Sequence, residues 1–279
     1  MRPAEVARRA AAYLRRHGVD GPLATAESEA LLQRVLGVDR VELFSRDAGL
    51  TTAEAKAYGR ALCRRCTGTP LQHLTGEQGF RRLLLEVRPG VFVPRPETEV
   101  LVEVSLRSIA SIDAPVAVDL CTGSGAVALA VADEHPGAVV YATDVSDDAV
   151  ALAQANAERL GLPITVEAGD LFGPLPGDIE GSVDVVCANP PYVPRARRGD
   201  LPPEVLADPE LAVFGEPELY ERIFAGAQTW LRPGGVVAVE IDDDAGAAIA
   251  ATATAAGLTD VVVEHDLTGR DRVVSARRS

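Results

Sequence analysis

From about Pro115 to the C-terminus, apolar runs of strand length alternate with stretches of helical periodicity, and this alternation narrows the possible folds more than any other feature. Strands are expected near residues 116–120, 138–143, 163–167, 183–188, 235–241, 259–264 and 271–276, with helices near 125–134, 146–160, 216–231 and 243–256. Such a pattern implies an α/β fold with a mostly parallel seven-stranded sheet covered by helices on both faces. In sheets of that kind ligands sit beyond the carboxyl ends of the strands. Hydrophobic residues make up 47% of the 279, enough for a sizeable core, while aromatics are only 4%, so that core is built mainly from Ala, Val and Leu.

The N-terminal part reads differently. Val6, Ala10, Tyr13 and Leu14 fall at helical spacing. A second helix is expected from about Ala26 to Leu36, capped by Thr25 and stopped by Gly37. A third begins at Thr51, where Thr51-x-x-Glu54 fits a capping box, and runs through Ala55, Tyr58 and Leu62 to Gly68-Thr69-Pro70. Residues 76–93 then place Phe80, Leu83, Leu85, Val87, Val91 and Val93 among Gly79, Pro89 and Gly90, the pattern of a β-hairpin. Two prolines stiffen Pro94-Arg95-Pro96 ahead of a helix from about Glu97 to Ile109. The expected organisation is a small helical domain over 1–74 that binds a partner, a hairpin linker over 75–96 and a ligand-binding domain over 97–279.

Charge and cysteine usage exclude several classes of function. A formal net charge of −14 argues against direct, sequence-independent binding of nucleic acid, which needs clustered Lys and Arg. The basic clusters, of which Arg195-x-Arg197-Arg198 is the most suggestive, are short. Cys63-x-x-Cys66 has no second Cys/His cluster to complete a zinc site, so it reads as two small apolar residues one helical turn apart, and no metal site is expected. The apolar runs fall well short of the about 20 residues of a membrane span, and the N-terminus lacks an apolar signal region, so a cytoplasmic location away from membranes is expected.

Two strand ends carry chemistry. After the first of the seven strands, Gly123-Ser124-Gly125-Ala126-Val127-Ala128 fits G-x-G-x-x-A, a turn that lets a ligand approach the backbone at a helix N-terminus. Asp144 ends the next strand, nineteen residues after Gly125, at the spacing of a ribose-binding acid. NAD would fit the same geometry. Asp119 favours S-adenosylmethionine instead, because a carboxylate beside this turn suits a cationic amino-acid tail and not a pyrophosphate. Asp170, at the end of the third strand, can accept from an adenine amino group, with Leu171 or Phe172 flanking the ring.

The stronger signal is Asn189-Pro190-Pro191-Tyr192, which follows the apolar run Val183–Ala188. Proline lacks an N–H and fixes φ, so the loop is rigid and its carbonyls are free of local donors. The Asn189 side-chain oxygen and the Pro190 carbonyl can accept both hydrogens of one NH₂ group. That orients the nitrogen lone pair, and Tyr192 can stack on a planar acceptor. The chemistry implied is methyl transfer to a conjugated nitrogen, driven by orientation and electrostatics. None of the four histidines belongs to a triad or metal set, Ser124 has no base nearby in sequence, and Asp242-Asp243-Asp244 reads as capping for the helix that follows.

Taken together, the helical N-terminal module, Leu71-Gln72-His73-Leu74-Thr75-Gly76-Glu77, Phe80, Val93-Pro94-Arg95-Pro96-Glu97-Thr98-Glu99, Asp119-Leu-Cys-Thr-Gly-Ser-Gly125, Asp144 and Asn189–Tyr192 resemble the HemK/PrmC family of protein-(glutamine-N5) methyltransferases over nearly the full chain. The resemblance implies a Rossmann-like class I methyltransferase fold. It also implies S-adenosylmethionine as cofactor and a peptide chain release factor as protein substrate, methylated on the glutamine of its Gly-Gly-Gln loop. By that resemblance Thr122, Gly123, Gly125, Asp144, Leu171 and Asn189 line the cofactor, and Asn189 through Tyr192 hold the glutamine. The segments Val213–Leu219 and Glu240–Asp244 depart from the family's usual pattern, at the acceptor rim. This leaves open a paralogue that methylates another protein or a small-molecule nitrogen, an adenine-N6 methyltransferase on nucleic acid, and a non-catalytic cofactor-binding protein.

Overall fold

The computed structural model describes residues 1–279 and resolves into two compact units. The first comprises residues 1–77 together with 202–207. It holds α1 (Pro3–Arg16), α2 (Gly21–Leu36), α3 (Arg40–Ser45), α4 (Thr52–Cys66) and α5 (Leu71–Thr75). Ala7, Ala10 and Leu14 of α1, Leu31 and Leu32 of α2, and Tyr58 and Leu62 of α4 form one apolar cluster. The capping box at Thr51 is present: the Thr51 hydroxyl accepts from Glu54 N–H and Glu54 accepts from Thr51 N–H. Thr25 does not cap α2. That helix starts earlier, at Gly21, with Pro22 in its first turn, which sets φ for the helix and brings Ala24 into the core. Neither α3, capped by Asp39, nor the five-residue α5 was expected, both being too short to show a period. Residues 202–207 are tied to this unit by Glu204, which pairs with Arg65 at 2.6 Å; Arg65 also holds the buried Glu27 at 2.7 Å.

The second unit comprises residues 78–201 and 208–279. A hairpin of β1 (Glu77–Phe80) and β2 (Leu83–Glu86) leads to a short 3₁₀ turn at Pro96–Thr98 and then α6 (Glu99–Ile109). Next come β3 (Val116–Leu120), α7 (Ala126–Glu134), β4 (Val139–Asp144), α8 (Asp147–Leu160), β5 (Ile164–Ala168) and β6 (Val183–Ala188). The chain ends with α9 (Glu210–Val213), α10 (Glu218–Trp230), β7 (Leu231–Glu240), α11 (Gly246–Ala255), β8 (Thr259–His265) and β9 (Asp271–Arg277). The seven-stranded sheet has the order β5-β4-β3-β6-β7-β9-β8, with β9 antiparallel to both its neighbours and the other pairings parallel.

Alternation along the central strands sorts side chains to the two faces. Val118, Leu120, Val186, Ala188, Val237 and Val239 pack with Tyr220, Ile223 and Phe224 of α10 and Ile249 and Ala253 of α11. Their neighbours Ala117, Val185, Cys187 and Ala238 face the other way, toward residues of α6, α7 and α8. The expected seven strands are therefore present in the expected places. The last helix starts later than expected, at Gly246, and its N-cap position is Ala245, with no side-chain cap bond. Asp242–Asp244 thus lie outside it as an exposed turn, not as a cap. No helix is long and apolar enough to cross a membrane.

Small residues set how closely α10 can approach the sheet ends. A Cβ at Gly226 would lie 2.3 Å from the Phe172 ring, which is itself buried and stacked on Trp230 at 5.9 Å. Helix propensity alone favours Ala over Gly by about 1 kcal/mol, but overpacking a tight core costs about 1–3 kcal/mol. Gly226→Ala is therefore expected to lower stability in urea unfolding; equal or higher stability would show that Phe172 has room to turn.

Candidate active site

Strand β3 pairs in parallel with β6, Asp119 opposite Cys187 and Leu120 opposite Ala188, so the two turns that follow them leave the sheet side by side. The first turn is built on left-handed backbone: Cys121 has φ 57°, Gly123 57° and Gly125 82°. At Gly123 a Cβ would meet nothing within 4 Å, so the space beside the backbone is open. At Gly125 a Cβ would come within 3.1 Å of Ala153 of α8, so this glycine serves close helix packing.

Asp119 is 2% exposed beneath that turn. Its Oδ2 accepts from the Thr122 hydroxyl at 2.6 Å and from Ala128 N–H at 3.2 Å, and the Cys187 thiol lies 3.8 Å from Oδ1. Burial pushes its pKa up to about 7, against the pull of the Thr122 and Ala128 hydrogen bonds. Asp144 organises the same turn from β4: Oδ2 accepts from Gly123 N–H at 2.9 Å and Oδ1 from Ser146 N–H at 2.9 Å. Burial raises its pKa, with those N–H bonds opposing. Ser146, not Asp144, caps α8.

Asp170 pairs with Arg222 of α10 at the exposed edge. Leu171 adopts φ 49°, and its carbonyl accepts from the buried Thr143 hydroxyl at 2.8 Å. Phe172 turns into the core against Trp230, so of the two residues expected to flank a ring only Leu171 borders the cavity.

The second turn begins at Asn189, whose Nδ2 donates to Thr98 Oγ1 at 3.2 Å. With Nδ2 on Thr98, the amide presents Oδ1 on its other side. The Tyr192 hydroxyl donates to Glu240 Oε1 at 3.4 Å. Its phenol pKa is raised by burial, so it stays neutral. Glu240 ends β7 with 3% exposure; burial pushes its carboxyl up to about 7 against the Thr98 hydrogen bond and the charge of Arg272. From the far side the loop is held by residues 213–215: Val193 N–H donates to Val213 O at 3.0 Å, Gly215 N–H to Val193 O at 3.2 Å, and a Cβ at Gly215 would lie 1.8 Å from the Pro191 carbonyl oxygen.

A cavity of about 310 Å³ opens over these strand ends. It brings together Asp119, Thr122, Gly123, Asp144, Asp170, Leu171, Asn189 and Pro191. Gly125, Pro190 and Tyr192 do not border it: Gly125 faces α8, Pro190 is buried behind Asn189, and Tyr192 packs against the core cluster under the loop. Sequence reasoning missed part of the wall. Val91, Phe92 and Pro94, which follow the hairpin, close one side, and Leu211 and Ala212 at the end of α9 close another. Thr98 and Ser124 also border the cavity, and Ser124 Oγ is buried with no protein partner. Ser124 stands inside the glycine turn, and Pro94 and Thr98 stand inside the Val93–Glu99 segment; nothing in the sequence marks the others as part of a wall. The side chains of the basic cluster engage groups of the chain itself: Arg195 and Arg198 pair with Glu210 and lie over the Phe214 ring, and Arg197 pairs with Asp242.

The chain matches known families over most of its length. Residues 5–76 match the family model described as the PrmC N-terminal domain, and residues 86–202 match the methyltransferase small domain. A release factor glutamine methyltransferase of Moorella thermoacetica is 41% identical over 268 residues, covering 94% of this chain and 93% of its own. One of Mycolicibacterium smegmatis is 44% identical over 258 residues, covering 90% of each. Among solved structures, the hMettl16 catalytic domain in complex with the MAT2A 3′UTR hairpin 6 matches with a TM-score of 0.58 at 16% identity over 78% of this chain and 82% of that one, a likeness of fold alone.

The raised pKa of Asp119 has a sign that can be checked. A buried carboxyl whose folded pKa exceeds its unfolded value binds protons more tightly when folded, so its contribution to stability is full below about 4 and lost as pH rises through about 7. Ligand-free Asp119→Asn is expected to gain in melting temperature over the parent as pH rises from about 4 to 7, with the gap level above that. A gap that does not change with pH would mean that Asp119 keeps an ordinary pKa in the fold.

Proposed function

The chain belongs to the release factor glutamine methyltransferase family, and on that premise we propose that it transfers a methyl group from S-adenosylmethionine to the side-chain amide nitrogen of the glutamine in the Gly-Gly-Gln motif of peptide chain release factors. The fold is the Rossmann-like class I methyltransferase fold. The observation that carries the reading is the fixed orientation of Asn189: Thr98 holds its Nδ2, which leaves Oδ1 free at the cavity wall as an acceptor. A glutamine amide offers two N–H donors: Asn189 Oδ1 would accept one at the cavity wall, and the second would fall to the Pro190 carbonyl just behind it, although Pro190 itself does not border the cavity.

S-adenosylmethionine supplies, when bound, an electrophilic methyl carbon on a sulfonium. The residues present suit it. Asp119 lies beneath the Thr122–Gly125 turn as a buried carboxyl that a cationic amino group would return to its charged form. Asp144 stands at the next strand end with one lone pair on each oxygen still open to ribose hydroxyls. Ser124 Oγ, buried without a partner, is a polar group left for a ligand. Asp170 and Leu171 border the adenine end. At the acceptor end, Asn189 and Pro190 draw the amide hydrogens out of conjugation and concentrate the lone pair on nitrogen. The Asn189 and Pro190 oxygens would hold the amide nitrogen toward the methyl carbon that the cofactor would supply, and the proton made acidic by transfer would pass to water. No base is needed beforehand, because the proton is acidic only after transfer. The catalytic group is thus Asn189 with the rigid Pro190-Pro191-Tyr192 backbone behind it. In this reading the helical domain over 1–74 receives the release factor.

The test is methyl transfer from labelled S-adenosylmethionine to three acceptors: a release factor, the same factor with its Gly-Gly-Gln glutamine replaced, and DNA. Transfer to the first alone is expected; label on DNA would instead favour an adenine methyltransferase. Asn189→Ala should lower kcat by about 10²–10³-fold with a melting temperature close to the parent's, and unchanged turnover would remove Asn189 from the chemistry. Asp144→Ala removes charged hydrogen bonds of about 1.5–3 kcal/mol each, so calorimetry should find cofactor affinity weakened by about tenfold or more while kcat at saturation falls less; equal affinity would count against the ribose role.

A further inference from the structure

We propose that Asp208 is a positioning residue for the cofactor: its buried carboxylate clasps two walls of the cavity together and so sets how long a bound cofactor stays. The proposal rests on the reading above of this cavity as the S-adenosylmethionine site.

One of the two walls is the loop that includes Gly90, Val91, Phe92 and Pro94, and the other is Pro209 with Leu211 and Ala212 of α9. A single side chain joins them, although Val93 and Asp208 are 115 residues apart in sequence. Asp208 Oδ1 accepts from Val93 N–H at 3.3 Å, and Oδ2 accepts from Arg95 Nη2 at 2.5 Å. The guanidinium carbon of Arg95 lies in turn 5.2 Å from the centre of the Phe92 ring, so the same pair reaches an aromatic side chain of the wall.

The course of the chain makes this tie matter. Residues 202–207 belong to the first unit, and Asp208 is the first residue that the second unit holds again. Pro209 follows without an N–H to bond. The bonds from Ala212 N–H to Pro209 O and from Phe214 N–H to Glu210 O stay within the segment. Outward, the segment is held at its far end by the bonds of Val193 with residues 213 and 215, and at its exposed side by Glu210 with Arg195 and Arg198. Asp208 is its hydrogen-bonded tie to the opposite wall. Leu211 borders the cavity yet is 59% exposed, apolar surface that a ligand held between the walls would cover.

Fold stability is a poor explanation for the pair. Desolvation offsets much of the attraction in a buried ion pair, and neither residue belongs to a strand or a helix. What the pair fixes is the spacing of the walls. An amide in place of the carboxylate has one oxygen, so it can accept from Val93 or from Arg95 but not from both. The Asp208 side chain is fully buried while that of Arg95 is 26% exposed. Asp208→Asn therefore leaves a cation that can turn to water, whereas removing Arg95 would strand a buried charge.

The experiment measures stopped-flow release of S-adenosylhomocysteine and melting temperature for the full-length parent, Asp208→Asn, Arg95→Lys and Glu210→Gln. Asp208→Asn is expected to release the ligand about tenfold faster, with a small change in melting temperature. Arg95→Lys keeps a cation beside Asp208 and should stay closer to the parent. Glu210→Gln removes the exposed pairs of the same segment and should leave release unchanged. Release at the parent's rate in Asp208→Asn, or equal acceleration in Glu210→Gln, would overturn the proposal. Hydrogen exchange of the ligand-free protein separates a clasp from general loosening: Asp208→Asn should lose protection in 91–95 and 208–212, and protection lost across the sheet, or nowhere, contradicts the proposal. If the parent itself binds no S-adenosylhomocysteine, the cofactor reading fails while the exchange pattern still decides whether Asp208 joins the walls.

Discussion

The parallel pairing of β3 with β6 is the constraint on which the site depends. It sets Leu120 against Ala188, so that the turn from Cys121 and the turn from Asn189 emerge at one level of the sheet. Neighbouring strands lie about 4.8 Å apart, so the turn proposed to hold the cofactor and the turn proposed to hold the acceptor leave the sheet side by side. The strand order reverses direction at this pair, β4 and β5 lying beyond β3 and β7 beyond β6, and that reversal opens the crevice that the cavity fills. Slipping the register by one residue would reverse which side chains of β6 meet α10 and which meet α6 and α7, so packing on both faces holds the two turns in place.

Within that frame the site is a set of buried polar groups whose partners are mostly hydroxyls and backbone N–H groups. Asp119 under the cofactor turn and Glu240 under the acceptor turn are both nearly fully buried, and both have carboxyl pKa values pushed up to about 7 by burial. Neither is neutralised by an ion pair, unlike Asp184 at the opposite end of β6, which accepts from Val116 N–H and pairs with Arg232. The contrast separates a carboxylate paired with a cation at the far end of the sheet from carboxyls bonded only to neutral groups at the ligand end.

Much of this was legible in the sequence because it is local. The Gly123-Ser124-Gly125 turn and Asn189–Tyr192 each lie within a few residues and require a particular backbone, left-handed at the glycines and fixed at the prolines. The seven strands were legible because each carries its own apolar run. What was hidden depends on contacts between distant segments. Thr98 stands in the Val93–Glu99 segment of the family resemblance, but its contact with Asn189 appears only once the two segments are placed together. Gly215 lies in a segment that departs from the family pattern, yet it is the residue that lets the chain approach the Pro191 carbonyl. Phe172 and Leu171 are equivalent in sequence as candidates for a ring contact, and only packing against Trp230 sends Phe172 away from the cavity. Asp242–Asp244 looked like a cap because the Ala-rich run after it shows no clear starting point; the helix begins two residues further on, at Gly246.

The central claim is that two oxygens, Asn189 Oδ1 and the Pro190 carbonyl, receive the two hydrogens of the acceptor amide. A crystal structure of the chain with S-adenosylhomocysteine and a peptide containing Gly-Gly-Gln tests it most directly. The account predicts the glutamine nitrogen within about 3 Å of both oxygens, with Nδ2 of Asn189 still bonded to Thr98. A glutamine side chain bound elsewhere in the cavity, or Asn189 turned so that Oδ1 meets Thr98 instead, would contradict it.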